Sequence, residues 1–154
     1  MSSIQEAIEV DVPVRVAYDQ FTQFEDFPRF MEDVESIKQL DDTTIRWRVN
    51  VAGAEREWDA DITEQEADQR IAWTSRGDTQ HAGVVTFHRI DDNQTRVTLQ
   101  MDVEPSDWVE KVGDALGTME RRVKRDLENF KQFIEERGAP TGAWRGEVKQ
   151  DPTS

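Results

Sequence analysis

Few residues in this chain are of a type that does chemistry. There are two histidines, His81 and His88, and no cysteine, which excludes thiolate nucleophiles, disulfides and cysteine-ligated metals. Neither histidine sits in an HExxH helix and there is no GxSxG elbow, so zinc-protease and serine-hydrolase constellations are absent. Gly113 and Gly117, one helical turn apart, match neither the Walker nor the dinucleotide pattern and read as close helix packing or a local bend. A histidine at the mouth of a pocket would still serve as an acid or base, because imidazole changes charge near neutral pH. His81 is the candidate for that role. Glu55, Glu57, Asp59 and Asp61 resemble a metal cluster, but strand alternation sets them on a solvent face beside Arg46 and Arg48. No metal or cofactor is expected.

Polar residues on faces that should point inward are more informative. Glu6, Arg56, Ser75 and Arg89 all share parity with apolar neighbours, and a charge facing a core must be paired, neutralised or wet. They either sit at strand ends and reach solvent, or orient a carbonyl or hydroxyl of a bound molecule, as a few polar groups do in apolar pockets. Glu6, Arg56, Arg89 and His81 are therefore the weak catalytic candidates. Trp47, Trp58 and Trp73 fall on the inward parity of consecutive strands, with Val49, Phe87, Leu99 and Met101 extending the same surface. Leu116 and Met119 face them from a helix. This set is either an aromatic core or the wall of a ligand site, and three indoles on a concave sheet would suit a flat, conjugated ligand.

The elements that must position these residues follow from periodicity. Ile45, Trp47, Val49 and Val51 alternate with polar residues, and the pattern resumes at Trp58, Ala60 and Ile62, a hairpin signal. A two-residue turn at Gly53-Ala54 would pair Val49 with Trp58, Trp47 with Ala60 and Ile45 with Ile62. It would also set Arg48 opposite Asp59 and Arg46 opposite Asp61. Further strands are expected over Gln5–Asp11, Val34–Leu40, around Ile71–Ser75, and over His81–Ile90 and Thr95–Val103. In the His81–Ile90 strand either parity is admissible, and Phe87 inward is preferred because its burial gains more. Pro13 opens a short helix through Val14, Ala17, Tyr18 and Phe21, and a second short helix holds Phe24, Phe27, Phe30 and Met31 around Pro28. From Ser106 to Arg137, apolar residues at Val109, Val112, Leu116, Met119, Val123, Leu127, Phe130 and Ile134 draw one stripe along a helix roughly 46 Å long. Ser106 can cap its start, Trp108 anchors it, and Gly138 with Pro140 stops it. A helix this long and one-sided needs a curved sheet to lie on.

The 154 residues fit one domain. A net charge of -14, from 33 acidic and 19 basic residues, opposes phosphate backbones and anionic membrane surfaces. Nucleic acid is thus not an expected partner, and neither is membrane insertion. The start carries no basic stretch and apolar run of a leader type, so a cytoplasmic location is expected.

The order is strand, two short helices, six strands and a long helix. Over roughly residues 3–137 the chain resembles the START-like superfamily, in particular its bacterial polyketide cyclase/dehydrase branch. The stretches that carry the resemblance are Ile8–Tyr18, Phe24–Met31, Gly83–Phe87, Thr95–Leu99 and the terminal amphipathic helix. The resemblance implies an α+β helix-grip fold: seven antiparallel strands curled around the long helix, enclosing a pocket for an apolar small molecule. It leaves three functions open. One is a binding or carrier protein for an aromatic, quinone-like or lipid molecule. Another is a polyketide cyclase or dehydratase acting on a poly-β-ketone chain, in which Arg56 or Arg89 stabilises an enolate while a histidine or Glu6 moves protons. A third is a protein-interaction module with a filled core. Residues 139–154 have no periodicity and are expected to form a flexible tail beyond a domain of residues 1–138. Trp144 in that tail either dangles or folds back.

Overall fold

The computed structural model of the protein describes residues 2–51, 54–76, 81–103 and 115–148, with the backbone alone at Ser2, Val51, Ala54, Val103 and 115–119. The strands are β1 (Ser2–Val10), β2 (Val34–Asp41), β3 (Thr44–Val51), β4 (Ala54–Glu66), β5 (Arg70–Ser75), β6 (His81–Asp91) and β7 (Gln94–Val103). They form one seven-stranded antiparallel sheet in the order β1-β7-β6-β5-β4-β3-β2. Helix α1 spans Val14–Phe21, a 3₁₀ helix spans Phe24–Arg29, and α2 spans Ala115–Arg137. This is the helix-grip arrangement of an α+β fold. The expected Ser106 cap, Trp108 anchor and first apolar positions of the long helix lie outside the described residues.

Local chemistry explains most boundaries. Pro28 has no N–H to give an α-helical bond, and its segment takes the tighter 3₁₀ form. Helix α2 stops at Gly138, whose φ of 69° is left-handed and whose N–H donates to the Ile134 carbonyl at 2.8 Å. Val123, Leu127, Phe130 and Ile134 are its buried stripe. In β6, His81, Gly83, Val85 and Phe87 are buried while His88, Arg89 and Ile90 are exposed. The expected inward Phe87 is the one observed.

The β3–β4 register corrects the expected one by two residues. Trp47 lies opposite Trp58, Ile45 opposite Ala60, Arg46 opposite Asp59 and Arg48 opposite Glu57. Pairing runs to Val51 and Ala54, so the connection is residues 52–53. A shift of two preserves which side chains face inward. It also lets Trp47 and Trp58 stack with planes 5° apart and centroids at 5.8 Å, and lets Arg46 Nε reach Asp59 at 2.8 Å. The freed Asp61 takes Arg76 instead.

One aromatic chain runs through the core. Phe130 of α2 meets Phe21 at 4.4 Å and Phe30 at 5.1 Å, Phe21 meets Phe27 at 5.7 Å, and Phe27 meets Trp47 at 6.0 Å. Such pairs add about 0.5–1.5 kcal/mol each beyond the area they bury. The chain couples α2, α1 and the 3₁₀ helix to the sheet through side chains alone.

After Gly138, residues 139–148 run back over α1. Gln20, fully buried, donates from Nε2 to Thr141 Oγ1 at 3.1 Å and accepts the Thr141 N–H on Oε1 at 2.9 Å. The Trp144 backbone N–H donates to Thr22 Oγ1 at 3.1 Å, and Val148 pairs with Gln65 as an isolated antiparallel bridge. Arg145 spans buried Asp19 and, at 2.8 Å, Asp68, with its guanidinium 5.6 Å from the Tyr18 ring centroid. Asp19 is a carboxylate that this strap alone pairs on its buried side; its other ion pair, to Arg15 at 3.8 Å, reaches it from an exposed side chain. Replacing Arg145 by Ala strands that charge. We expect Arg145→Ala to lower stability by roughly 1–3 kcal/mol, the range for a partly exposed partner of a buried charge, in urea unfolding at pH 7. An unchanged midpoint would show that the strap contributes no stability.

Candidate functional site

The tryptophan face and α2 do not close completely on each other. Between them lies a cavity of about 80 Å³, room for several waters at about 10–15 Å³ each. Its floor is apolar and aromatic: Trp47, Trp58, Trp73 and Leu99 are each no more than 5% exposed. Trp73 reaches its place because residue 83, opposite it on β6, is glycine; a Cβ there would come within 2.4 Å of the indole ring. His81 stands among the three indoles, at 5.6 Å from Trp47, 5.3 Å from Trp58 and 6.1 Å from Trp73, and edge-on to the first two. Its backbone N–H donates to Ser75 Oγ at 3.0 Å.

Burial sets the charge state of this histidine. Removal from water disfavours imidazolium and lowers the His81 pKa to about 3. His81 is therefore a neutral group at the cavity floor, not a titrating group at its mouth. It can relay a hydrogen bond, but it stores no proton near neutral pH.

The mouth is built differently. Met31, Asp33 and Val34, just before and at the start of β2, form one side, and Arg122, Val123 and Asp126 of α2 form the other. Charges join the two sides. Arg122 pairs with Asp33, and Arg125 pairs with Asp33 at 3.2 Å and Glu32 at 3.3 Å. Asn129 Nδ2 donates to the Phe30 carbonyl at 3.2 Å, one turn further along α2. Asp126 is the anomalous member. Its side chain is 16% exposed, and burial, with Asp33 and Glu32 adding like charge, raises its pKa to about 7 against the opposing pull of Arg125 at 3.7 Å and the Glu32 N–H. A carboxyl poised near neutrality beside an arginine in a cavity wall is the kind of group that exchanges protons with a bound molecule.

Of the residues singled out by sequence, Trp47, Val49, Trp58, Trp73, His81, Leu99 and Met101 line this cavity. Phe87 shares their face but packs edge-on against Tyr18 and Phe21 beneath α1, away from the cavity. Arg89 is exposed at the end of β6 and pairs with Asp92. Arg56, opposite Val49, and Glu6, opposite Leu99, are half-buried on the inner parity and are not among the lining residues. The side chains of Leu116 and Met119 lie outside the described residues. Sequence reading missed Asp33, Arg122 and Asp126. The signal on offer was the i, i+3, i+4 row Arg122, Asp126, Asn129 and Phe133, which runs beside the buried stripe and has two charges facing one side.

Residues 10–132 match a family model described as polyketide cyclase / dehydrase and lipid transport. A protein of Streptomyces lincolnensis, known as an uncharacterized 17.2 kDa protein in the melC2-rnhH intergenic region, is 57% identical over 149 residues, covering 96% of this chain and 99% of the relative. Among solved structures, the Zhui aromatase/cyclase from Streptomyces sp. R1128 superposes with a TM-score of 0.73 at 16% identity, covering 93% of this chain and 99% of that one. A START superfamily protein from Mycobacterium smegmatis gives a TM-score of 0.68 at 14% identity, with 88% and 95% covered. At such identities the structural likeness speaks to the fold alone. The match to the family model over most of the chain makes this protein a member of the polyketide cyclase/dehydrase and lipid transport family, and its seven-stranded sheet gripping a C-terminal helix has a START-like fold.

Proposed function

We propose that the protein binds an apolar small molecule in the cavity between the sheet and α2. One observation carries the reading. Trp47, Trp58 and Trp73 line unfilled space of about 80 Å³ in an interior that close packing would otherwise fill. A filled interaction module would instead display an apolar patch outside. Among the described residues the exposed large apolar side chains are Leu40 on β2 and Ile90 on β6, with three strands between them, which do not form a patch.

A second reading is supported by Asp126 and Arg122. In a cyclase or dehydratase acting on a poly-β-ketone, a base removes a proton from the carbon between two carbonyls, and a cation steadies the enolate oxygen. Asp126 has the matched acidity and Arg122 the charge, both in the cavity wall. Arg56 and Arg89, the sequence candidates for the cation, are not in that wall.

Binding is tested by calorimetry against naphthalene, 1,4-naphthoquinone, oleate and cholesterol. Trp58→Ala should weaken whichever ligand binds by about tenfold or more, since a buried aromatic contact of about 2 kcal/mol is lost. Glu57→Ala, on the outer face opposite Arg48, should leave the affinity within about twofold. Equal losses in the two variants would place the ligand elsewhere.

Asp126 also makes a pH prediction. Its folded pKa lies above the unfolded value of 3.8, so the native state keeps a proton that the unfolded chain has given up. The stability this confers is complete below about pH 4 and is lost as pH rises through about 7. Asp126→Asn should therefore stabilise the protein at pH 8, by up to about 4 kcal/mol, and change little at pH 4. Chemical denaturation at the two pH values measures the difference; a pH-independent effect would contradict the assigned proton.

The chemical reading has its own measurement. If Asp126 moves protons, the wild-type protein should accelerate deuterium exchange at the central carbon of a cyclic β-diketone, followed by proton NMR, and Asp126→Asn should abolish most of the acceleration. Exchange at the buffer rate with wild-type protein would leave a carrier.

A further inference from the structure

The end of β4 outruns its neighbour on one side. β3 pairs with β4 no further than Asp61, whereas β5 follows the other side as far as Glu66. An open strand edge is a template for another strand, and here the template is in use. The Gln65 N–H donates to the Val148 carbonyl at 2.7 Å, and the Val148 N–H donates back to the Gln65 carbonyl at 3.0 Å. Three residues before Val148, the Arg145 guanidinium sits between the Asp19 and Asp68 carboxylates and over the Tyr18 ring. Thr141 is held by Gln20 and by Asp26. The strap is held as a bound peptide is held, with strand addition supplying affinity and a side-chain pocket supplying selection.

The fit is incomplete. Tyr18 Oη, Gln65 Nε2 and Asp68 Oδ1, all in residues that line this groove, are buried without a hydrogen bond among the described residues. Charge is also poorly matched. The groove presents Asp19 and Asp68 to Arg145, and Asp26 to the Thr141 hydroxyl. The cations that reach these carboxylates from outside the strap, Arg15 on Asp19 at 3.8 Å and Arg29 on Asp26 at 3.6 Å, do so from exposed side chains. Residues 141–148 offset three carboxylates with one arginine and one glutamate, and so with no net charge, in a protein of net charge -14. A segment with the same arginine and further basic side chains would gain charge pairing and hydrogen bonds that the tail leaves unmade.

We propose that this groove is a docking site for an extended, basic, arginine-bearing segment of a partner protein, and that residues 141–148 fill it as a tethered competitor. The partner's arginine takes the place of Arg145 between Asp19 and Asp68, and a residue three positions later adds to the β4 edge at Gln65. Gly138, where α2 ends in a left-handed turn, is the hinge that lets the tail leave while the helix stays. The groove is separate from the cavity between the sheet and α2, so the proposal does not depend on what that cavity holds.

The test follows amide hydrogen exchange in the 15N-labelled full chain, with unlabelled synthetic peptides as probes. One peptide has the sequence of residues 141–148, a second carries Arg145→Ala, a third carries Glu147→Lys, and a fourth holds the first peptide's residues in scrambled order. A tethered tail competes at an effective concentration on the order of millimolar, so each peptide is added at about 5 mM. The first peptide should speed exchange at the Thr141 and Val148 amides by about threefold or more and leave the α2 amides unchanged. The Glu147→Lys peptide should act more strongly, and the Arg145→Ala and scrambled peptides should have no effect. In calorimetry, full-length Arg145→Ala protein, whose tail has lost its hold on the pocket, should bind the first peptide about tenfold more tightly than the wild type does. Exchange unmoved by the first peptide, or moved equally by the scrambled one, overturns the docking site, and does so in wild-type protein whether or not the variant folds. Equal effects of the first and second peptides overturn the arginine pocket. A first peptide that outdoes the Glu147→Lys form overturns the basic partner, since the groove would then fit its own tail best.

Discussion

The stacking of Trp47 on Trp58 across β3 and β4 is the contact on which the other features of the site depend. It requires the register that puts the two residues directly opposite, and that register in turn decides which arginine meets which carboxylate on the outer face. Phe27 leans on the edge of Trp47 from the 3₁₀ helix, and His81 stands perpendicular to both indoles from β6. The cavity is the space left when these rigid rings have satisfied one another. Gly83 completes the arrangement, since a Cβ there would collide with the Trp73 ring.

Two environments result within one site, and each sets the ionisation of the group it holds. At the floor, three indoles exclude water and keep His81 neutral. At the mouth, carboxylates from two elements meet a run of arginines, and the most enclosed of them, Asp126, holds its proton into the neutral range. An arrangement that raises the pKa of an acid by burying it costs stability at physiological pH. The placement of a destabilising acid beside unfilled space is why the second functional reading has weight.

The strap of residues 139–148 follows the same logic at the opposite side of α1. Buried Gln20 and Asp19 face outward from the aromatic core, where Thr141 pairs with Gln20 and Arg145 adds to Asp19 an ion pair beyond the one with exposed Arg15. The helix that carries Tyr18 and Phe21 into the core is thus held from both sides, by rings within and by the strap without.

Much of this was legible in the linear chain, and the reason is periodicity. Alternation in the strands and the three-four spacing of the last helix report which side of each element is apolar. The inward placing of Trp47, Trp58, Trp73, Leu99 and Met101 and the order of strands and helices needed nothing more, whereas the choice of Phe87 took the gain from its burial and the helix-grip fold took the family resemblance. Periodicity says nothing about position along a face. The β3–β4 register slid by two residues without altering a single inward assignment, and Phe87, on the right face, packs under α1 instead of lining the cavity. Glu6, Arg56 and Arg89 lie outside the cavity lining for a related reason. Whether Arg56, Arg89 or Arg122 meets a ligand depends on which loop crosses which turn of α2, a relation between residues far apart in the chain. Side-chain type and parity belong to the sequence because they are set within one element. The depth of His81 and the acidity of Asp126 belong to the tertiary structure, because each is a property of water excluded by several elements at once.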